Sequence, residues 1–324
     1  MLLNYLKITF RNLFRYKLFS AINIFGLSVS LASCLLLFLY AQQELSYDQE
    51  HGKRLYRLTT SLSQKDGELM TIGSSSVPIA PRVVADIPEI TNAARMTGAA
   101  FFQAKDMITY EDQSYYIENG YVADSSLFAL FKFDIIAGNK QMPMAHNNSV
   151  VLEKEWAEKL FGSASDAIGK MVKISTLLGP ADYEVTAVFD NSSILSHITP
   201  SYVISIENNT WAQFFNRFSS QWVGNNVVFT YLELTPEADV EEVSEKIHQI
   251  FLKNGKEEME AMGVSKFMTL QPVEDIHTSS GFVMDTGGKT DLTFIKVLIT
   301  IGALILILAC FNYINLSTAQ AGRR

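Results

Sequence analysis

The stretch LFSAINIFGLSVSLASCLLLFLY at residues 18–40 decides the architecture, because it contains no charged side chain. The nearest charged residues are Lys17 and Glu44, which leaves 26 uncharged residues between them. A helix rises about 1.5 Å per residue, so this stretch is longer than a hydrocarbon core of about 30 Å. The sequence therefore predicts a transmembrane helix at residues 18–41.

A second uncharged stretch, VLITIGALILILACFNYINL at residues 297–316, lies near the other end of the chain. Lys296 and Arg323 bracket it, again with 26 uncharged residues between them. A core helix of a soluble protein is seldom this long and apolar on all sides. We predict a second transmembrane helix at residues 294–318, with a domain of residues 42–293 between the two spans.

A cleaved signal peptide is the alternative for the first stretch. The apolar region of a signal peptide is usually about 7–15 residues long, which is shorter than this one. The sequence LYAQQ at residues 39–43 also lacks the small-x-small pattern of a cleavage site. An uncleaved anchor is the better interpretation.

Composition excludes several classes of protein. The chain has 324 residues, of which 48% are hydrophobic and 19% charged, whereas a soluble domain carries about 25% charge. Disordered chains are much less hydrophobic, and two cysteines are too few for a disulfide scaffold. An acidic chain with basic patches only at its ends is not expected to bind nucleic acid.

The charges are distributed unevenly along the chain. Residues 1–17 contain four basic side chains and no acidic one, and two arginines end the sequence. Residues 41–293 contain all 34 acidic and 19 basic side chains, a net charge of −15. Positively charged flanks stay in the cytoplasm, so we predict two cytoplasmic termini and a central domain on the outer side of the membrane.

Residues 1–17 show a helical repeat with one apolar and one basic face. The basic face carries Lys7, Arg11 and Arg15, opposite a row of leucine and phenylalanine side chains. This pattern predicts a helix on the cytoplasmic membrane surface, with its cations against anionic lipid head groups. A charged segment that merely leads into the span is the alternative.

The central region alternates strand-like and helical segments, which predicts an α+β domain with a β–α–β part at each end and a β-rich middle. Residues 152–162 are predicted to form a helix that ends at Gly162 as its C-cap. Residues 170–190 are predicted to form two paired strands with Gly179-Pro180 as the turn.

No motif in the chain indicates an enzyme, a metal site or a bound cofactor. Gly287-Gly288-Lys289-Thr290 ends like a phosphate-binding loop, but position 283, where that loop needs glycine, is valine. Ser196-His197 has no nucleophile elbow around it. No histidine has a ligand-spaced neighbour, and we interpret all five as isolated polar residues: His51, His146, His197, His248 and His277.

A few small and polar residues inside the two spans are candidates for helix packing. Gly26 and Ser30 form a small-xxx-small pair, which lets helix backbones approach each other closely. Asn312 and Asn315 carry amides that need hydrogen-bonding partners or water near the inner end of the second span. The alternative for the first pair is that the small residues are incidental.

Several segments, taken in their order along the chain, resemble those of a known family of membrane proteins. They are NYLKITFRNLFRYKLFSAINIFGLSVSLASCLLLFLYAQQELSYDQEH (4–51), YVADSSLFALFKFDIIAG (121–138), NSVVLEKEWAEKLFG (148–162), DAIGKMVKI (166–174), LQPVEDIHTSS (270–280) and ACFNYINLSTAQAGRR (309–324). In this order, between two spans, they resemble the permease subunits of MacB/FtsX-like ABC transporters over essentially the whole chain.

The resemblance implies a fold, a function and partners. Such permeases have a first span, a MacB-like periplasmic core domain with a mixed α/β part near the membrane and a β-rich insertion, and a second span. They work as a pair of permeases with two copies of a separate cytoplasmic ATPase, which holds the ATP and Mg²⁺, so no cofactor is expected on this chain. They drive export or mechanical work in the periplasm, and a periplasmic or outer-membrane partner is a further expectation.

The sequence departs from that family at its C-terminus. Family permeases continue after the arginines into a cytoplasmic coupling segment and further spans, and residues 319–324 correspond to the start of that region. We therefore expect a truncated chain or a companion chain. A two-span sensor with a ligand-binding outer domain is the alternative function, and a membrane-anchored enzyme is a third. What the gene encodes after Arg324 would discriminate between them.

Overall fold

The computed structural model describes residue 11 and residues 17–52, 54–64, 69–100 and 105–321. The chain divides into two compact units, and each is considered by itself. One unit contains the two long terminal helices, and the other, Tyr47–Lys289, contains the sheet and the shorter helices. The helices are α1 (Lys17–Glu44), α2 (Ile79–Asp86), α3 (Leu127–Leu130), α4 (Lys154–Phe161), α5 (Ala164–Ala167), α6 (Asn209–Asn216), α7 (Val240–Met262) and α8 (Leu292–Ala321).

Helices α1 and α8 are each long and apolar enough to cross a membrane. Their candidate spans are Ser20–Glu44 and Leu292–Asn315, with mean hydropathies of 2.2 and 2.7. The two helices pack antiparallel, because Gly26 near the start of α1 lies beside Asn312 near the end of α8. A Cβ at Gly302 would lie 3.7 Å from Leu37 Cδ1, which shows how close the two helices come.

The other unit is built on one mixed sheet, which has 13 strands within the described residues. The strands are β1 (Leu55–Gln64), β2 (Met70–Ile72), β3 (Ile90–Gly98), β4 (Asp106–Tyr110), β5 (Gln113–Ile117), β6 (Gly120–Ala123), β7 (Ile135–Gly138), β8 (Ser149–Glu153), β9 (Met171–Thr176), β10 (Gly179–Phe189), β11 (Tyr202–Ser205), β12 (Phe229–Leu234) and β13 (Val264–Pro272). Their order is β13-β1-β12-β3-β6-β11-β8-β10-β9-β4-β5, with β2 paired to β1 and β7 paired to β10.

The pairing within this sheet confirms the mixed α/β domain that the sequence predicts. β8 pairs with β10 in parallel, and β6 pairs with β11 in parallel, whereas the other ladders are antiparallel. Parallel neighbours need a crossover connection, and helices α4 and α5 lie in the crossover between β8 and β10. The sheet therefore combines helix-linked strands with simple hairpins.

Two local predictions from the sequence had different outcomes: the C-cap at Gly162 is confirmed, and the turn at Gly179-Pro180 is wrong. Gly162 ends α4 with a left-handed backbone at φ 86°, and its N–H donates to Glu158 O, as a C-cap should. The predicted Gly179-Pro180 turn is wrong, because both residues already pair with β9, opposite Thr176 and Ser175. The turn is formed by residues 177–178 instead. Proline can occupy the start of a strand, which is where Pro180 lies.

Helices cover the sheet through three buried apolar clusters. Helices α2 and α7 pack on β1, β12 and β13 through side chains such as Val83, Ile247 and Phe251. Helices α4 and α6 contribute to a second cluster, in which Trp211 is fully buried. Helix α3 contributes to the third cluster, beside Tyr231. Burying these side chains supplies the main driving force for folding of this unit.

Lys266 on β13 is a buried cation inside this fold, with only 1% of its surface exposed. Its ammonium group donates to the carbonyl oxygens of Trp222 and Val223, each at 3.1 Å, and to Asn226 Oδ1 at 2.6 Å. Burial lowers the pKa of Lys266 to about 7, an effect that the carboxylate of Glu258 opposes.

This lowered pKa predicts that the sheet domain becomes more stable as the pH rises from 7 to 9. Above pH 7 the unfolded chain keeps a proton on Lys266 that the folded chain has lost, so unfolding is increasingly disfavoured until the pH reaches the unfolded pKa of about 10.4. We expect a gain of about 2 kcal/mol in the free energy of unfolding. Urea titration of the full chain in detergent, followed by tryptophan fluorescence, measures it.

The matched variants for this prediction are Lys266→Met and Lys253→Met. Lys253 is exposed on α7, so its replacement should leave the gain between pH 7 and 9 intact. Lys266→Met should abolish the gain in the free energy of unfolding, because the lysine whose pKa is lowered by burial is no longer present. An equal gain in Lys266→Met would mean that other groups cause the pH dependence.

Candidate coupling site at the two ends of the sheet domain

Two short segments join the sheet domain to the rest of the chain. The first connector is Tyr47–His51, which follows α1, and the second connector is Asp285–Lys289, which precedes α8. Both connectors bind to buried polar side chains of the sheet domain. These connectors are the covalent links between the sheet domain and helices α1 and α8, so their contacts form the candidate site.

Asp48 fixes the first connector to the domain. Its backbone has φ 60°, in the left-handed region where aspartate is more common than most other residues. Its N–H donates to Leu195 O at 2.8 Å. Its carboxylate Oδ1 accepts from Ser196 Oγ at 2.8 Å and from the backbone N–H of His197 at 3.0 Å. One buried side chain thus holds the segment that precedes β11.

His197 extends this contact into the core. The side chain is fully buried, with Nε2 2.8 Å from Tyr231 Oη and Nδ1 2.9 Å from Asp48 Oδ1 in a short but poorly aligned contact. Burial lowers the pKa of His197, although Asp48 pulls it upward. Burial also raises the pKa of Tyr231. The neutral ring therefore carries its proton on Nδ1 and accepts from the tyrosine at Nε2.

Asp48 stays ionised in this buried position. Burial by itself would raise the pKa of Asp48, but the hydrogen bonds from His197 and His51 outweigh burial and hold that pKa below its usual range. The first connector therefore carries a fixed negative charge that several donors share. Displacing a buried charge that several donors hold is costly, because the charge and its donors would lose their partners.

Ser196, His51 and Asp48 contain the residue types of a catalytic triad, but not its arrangement. His51 Nε2 lies 3.0 Å from Ser196 Oγ, and the backbone N–H of Lys132 donates to His51 Nδ1 at 3.1 Å. The proton of a neutral His51 is therefore on Nε2, so this nitrogen cannot take a proton from the serine. Asp48 also lies on the Nε2 side, 3.5 Å away. The cluster is suited to holding the chain rather than to nucleophilic attack.

Arg57 on β1 fixes the second connector. Its side chain is fully buried, and its guanidinium group donates through Nη1 to Asp285 Oδ1. Nη2 donates to Gln271 Oε1 at 2.6 Å, and Nε donates to the same oxygen at 3.1 Å. The group also lies over the Phe282 ring, 5.0 Å from its centre. Arginine suits this position because its planar fork binds several acceptors at once.

Lys289 completes this ion-pair cluster. Its ammonium group lies 2.5 Å from Asp285 Oδ2 and donates to Ile276 O at 2.8 Å. Burial would raise the pKa of Asp285, but Arg57 and Lys289 together hold it below its usual range. Burial lowers the pKa of Lys289 itself, against the pull of Asp285. The second connector is thus held at both of its ends.

The two connectors also reach each other through His277 and His197. The Tyr47 ring stacks on the His277 ring with 3.6 Å between centres and 4° between planes, and His277 Nδ1 lies 2.9 Å from Gly288 O. Gly287 packs so closely that a Cβ there would lie 2.4 Å from His197 O, and its φ of 70° also favours glycine. Both connectors therefore contact one continuous buried network.

The structure places the predicted membrane residues as follows. Lys7 and Arg15 lie outside the described residues, and Arg11 is exposed with a helical backbone. Gly26, Ser30 and Asn312 line one groove between α1 and α8. A Cβ at Gly26 would lie 3.9 Å from Asn312 Nδ2, whereas Ser30 Oγ donates to Gly26 O of its own helix. Asn315 is exposed, away from that groove. Their roles in membrane packing stay predictions.

The interpretation of all five histidines as isolated residues is wrong for His51 and His197, which meet at Asp48. Within the described part of the chain, no group of three histidine, cysteine, aspartate or glutamate side chains could hold a metal ion. Sequence reasoning missed the connector residues Asp48, Arg57 and Asp285. The only signal available was that Asp48 falls in the segment 4–51, which follows the family order.

Comparison with known proteins identifies this fold. Residues 20–250 match the family described as MacB-like periplasmic core domain. A domain of a candidate permease protein from Porphyromonas gingivalis has a similar structure, with a TM-score of 0.56 and 19% identity, over 76% of this chain and 97% of that one. No curated protein sequence matches this chain.

Two further solved structures are more distant. The periplasmic region of MacB from Actinobacillus actinomycetemcomitans has a TM-score of 0.41 and 12% identity, over 67% of this chain and 90% of that one. The extracellular domain of the noncanonic ABC-type transporter YknZ from Gram-positive bacteria has a TM-score of 0.40 and 14% identity, over 66% of this chain and 99% of that one. Since the family match covers well over half of the residues, the chain belongs to the MacB-like periplasmic core domain family.

Proposed function

We propose that this chain is the transmembrane permease subunit of a MacB/FtsX-like ABC transporter, which couples ATP hydrolysis by a separate cytoplasmic ATPase to export or to mechanical work in the periplasm. The observation that supports this function best is the buried network that holds both connectors. A domain that responds to displaced helices needs rigid attachments at both of its ends. Asp48 and Arg57 provide such attachments.

In this proposal the chain itself transmits force and performs no chemistry. ATP and Mg²⁺ are bound by the ATPase, and two permeases work with two ATPase subunits. Helices α1 and α8 cross the inner membrane with both termini in the cytoplasm, since the basic residues lie at the two ends of the sequence. The sheet domain is then periplasmic, where a periplasmic or outer-membrane partner would contact it.

We also propose roles in the membrane for the polar residues of the N-terminal region and the spans. Lys7, Arg11 and Arg15 would lie against anionic head groups on the cytoplasmic surface. Gly26, Ser30, Asn312 and Asn315 would contact neighbouring transmembrane helices, including those of the second permease copy.

The test is to co-express the full chain with each ABC-type ATPase of its own genome in turn and to purify both in nanodiscs. We expect a complex with two copies of each chain. When the ATPase is trapped with vanadate, hydrogen exchange should change in both connectors. His197→Asn should keep the complex and ATP hydrolysis but lose most of this response, because the ring that contacts both Asp48 and Tyr231 is removed.

A matched control is His146→Asn, since His146 forms an exposed pair with Glu184 outside the connectors. This variant should respond as the wild type does. Failure of any ABC-type ATPase to bind the chain would contradict the proposal. A kinase or cyclase module found in its place would favour the two-span sensor instead.

A further inference from the structure

The first connector contacts the segment after α3 as well as the segment before β11. The segment after α3 is Phe131-Lys132, and His51 makes the contact with it. The backbone N–H of Lys132 donates to His51 Nδ1 at 3.1 Å, and the Phe131 ring meets the His51 ring edge-on, with 5.0 Å between centres. His51 therefore joins two parts of the sheet domain that are 81 positions apart in the chain.

The His51 ring is almost completely enclosed, and its two nitrogens face different groups. Only 2% of its side chain is exposed, and the Asp48 side chain beside it is fully buried. Nε2 faces Ser196 Oγ, whereas Nδ1 faces the backbone N–H of Lys132. A backbone N–H can donate a hydrogen bond but cannot accept one, so Nδ1 must be the acceptor. This geometry fits a neutral ring that carries its proton on Nε2.

Protonation of His51 would place two donors against each other. A protonated imidazole carries an N–H at both nitrogens. On the Nε2 side the positive ring still faces Asp48, which is ionised and lies 3.5 Å away. On the Nδ1 side the new N–H would face the N–H of Lys132, and a ring this deeply buried leaves little room for water between them. The hydrogen bond from Lys132 must then break.

The other charged and titratable groups that face His51 within the described residues are Glu50, Lys132 and His197. Glu50 and Lys132 form an exposed ion pair, so their opposite charges largely cancel at the ring, and such pairs contribute little to stability. Burial lowers the pKa of His197, so His197 stays neutral near pH 6.5, where an imidazole in water takes up its proton. The response to mild acid in this cluster therefore comes from His51.

We propose that His51 is a pH-sensitive contact of the sheet domain, in which the neutral ring holds the first connector to the segment after α3 and protonation of the ring releases that segment. The connector would keep its contact with the segment before β11, because Asp48 continues to accept from Ser196 and from the His197 N–H. Acid thus changes which part of the domain the first connector holds. The inference goes beyond the proposed function and does not depend on it, since these contacts lie within the sheet domain.

The test is NMR of the full chain in detergent micelles, with ¹⁵N in the lysines and ¹³C at the histidine Cε1. Lys132→Arg assigns the Lys132 amide, and His51→Asn assigns the His51 ring. Between pH 7.5 and 5.5 we expect the His51 signal to titrate. Over the same range the protection of the Lys132 amide from hydrogen exchange, corrected for the intrinsic rate, should fall by about tenfold or more.

The Lys173 amide is the internal reference for folding in this experiment. Lys173 lies on β9, which is paired with β10 on one side and with β4 on the other. Its amide should keep its protection at both pH values, which would show that the loss at Lys132 is local.

Two variants of His51 separate the acceptor from the proton. His51→Asn places an amide oxygen near the position of Nδ1, so the Lys132 amide should stay protected at both pH values. His51→Phe keeps an aromatic ring but has no acceptor, so the same amide should exchange about tenfold faster at both. His146→Asn is the matched control, since His146 forms an exposed pair with Glu184, and it should leave the pH response of the Lys132 amide unchanged.

The proposal is overturned if the Lys132 amide keeps its protection to within about twofold while the His51 ring titrates. It is also overturned if the His51 ring shows no titration between pH 7.5 and 5.5, or if the Lys132 amide of His51→Asn loses protection in acid as that of the wild type does. None of these outcomes involves an ATPase, so they leave the proposed function to its own test.

Discussion

Replacing Arg57 by methionine is expected to lower the free energy of unfolding of the sheet domain by about 3–5 kcal/mol. Methionine fills most of the buried volume of arginine, so the loss comes from polar groups rather than from a large cavity. Asp285 would keep its charge beside Lys289 alone, and Gln271 Oε1 would lose both of its guanidinium donors. Removing one partner of a buried ion pair costs far more than the pair itself contributes.

Urea unfolding of the full chain in detergent, followed by tryptophan fluorescence, measures this loss. The double variant Arg57→Met/Asp285→Asn removes the stranded charge and should recover about 1–2 kcal/mol, because residues in contact are not additive. Arg54→Met, at an exposed position three residues earlier, should change the free energy by less than about 0.5 kcal/mol. A loss below about 1 kcal/mol in Arg57→Met would show that the cluster does not fix the second connector.

Sequence patterns were sufficient for features that depend on neighbouring residues. The two spans are visible as uncharged stretches, and the end of α4 at Gly162 is visible because a left-handed C-cap favours glycine. The order of segments also indicated the family that the match over residues 20–250 shows. Each of these signals lies within a continuous piece of sequence.

The candidate site depends on contacts between distant residues, which a single sequence does not display. Asp48 and His197 are 149 positions apart, and Arg57 and Asp285 are 228 apart. In the pattern LYRLTTSLS, Arg57 occupies a position that alternation assigns to the solvent face of a strand. It is buried because the second connector covers that face. The strand order, in which β1 lies between β12 and β13, places Arg57 beside Tyr231 and Gln271.

The second large effect is expected at Asp48, where the carboxylate and the backbone contribute separately. Asp48→Ala should lower the free energy of unfolding by about 4 kcal/mol. Most of this is the cost of leaving the Ser196 hydroxyl and the His197 N–H without their acceptor, about 1–3 kcal/mol for each buried group. The remainder is the cost of a left-handed backbone at φ 60° for alanine, about 1–2 kcal/mol.

Two further substitutions at Asp48 separate these contributions. Asp48→Gly removes the acceptor but tolerates the left-handed backbone, so it should lose about 3 kcal/mol. Asp48→Asn keeps one acceptor oxygen and also tolerates that backbone, so it should lose only about 1–2 kcal/mol. Asp86→Ala, which breaks an exposed pair with Arg82, is the control and should cost about 0.5 kcal/mol or less.

The order of these losses decides what holds the first connector. If alanine costs more than glycine and glycine more than asparagine, the buried carboxylate fixes the connector and the unusual backbone adds to the cost. If the glycine and alanine variants lose the same free energy of unfolding, backbone strain does not contribute to the loss. A glycine variant as stable as the wild type would mean that the carboxylate contributes nothing. The connector would then be free to move without disturbing His197, and the sheet domain could not follow α1 through this contact.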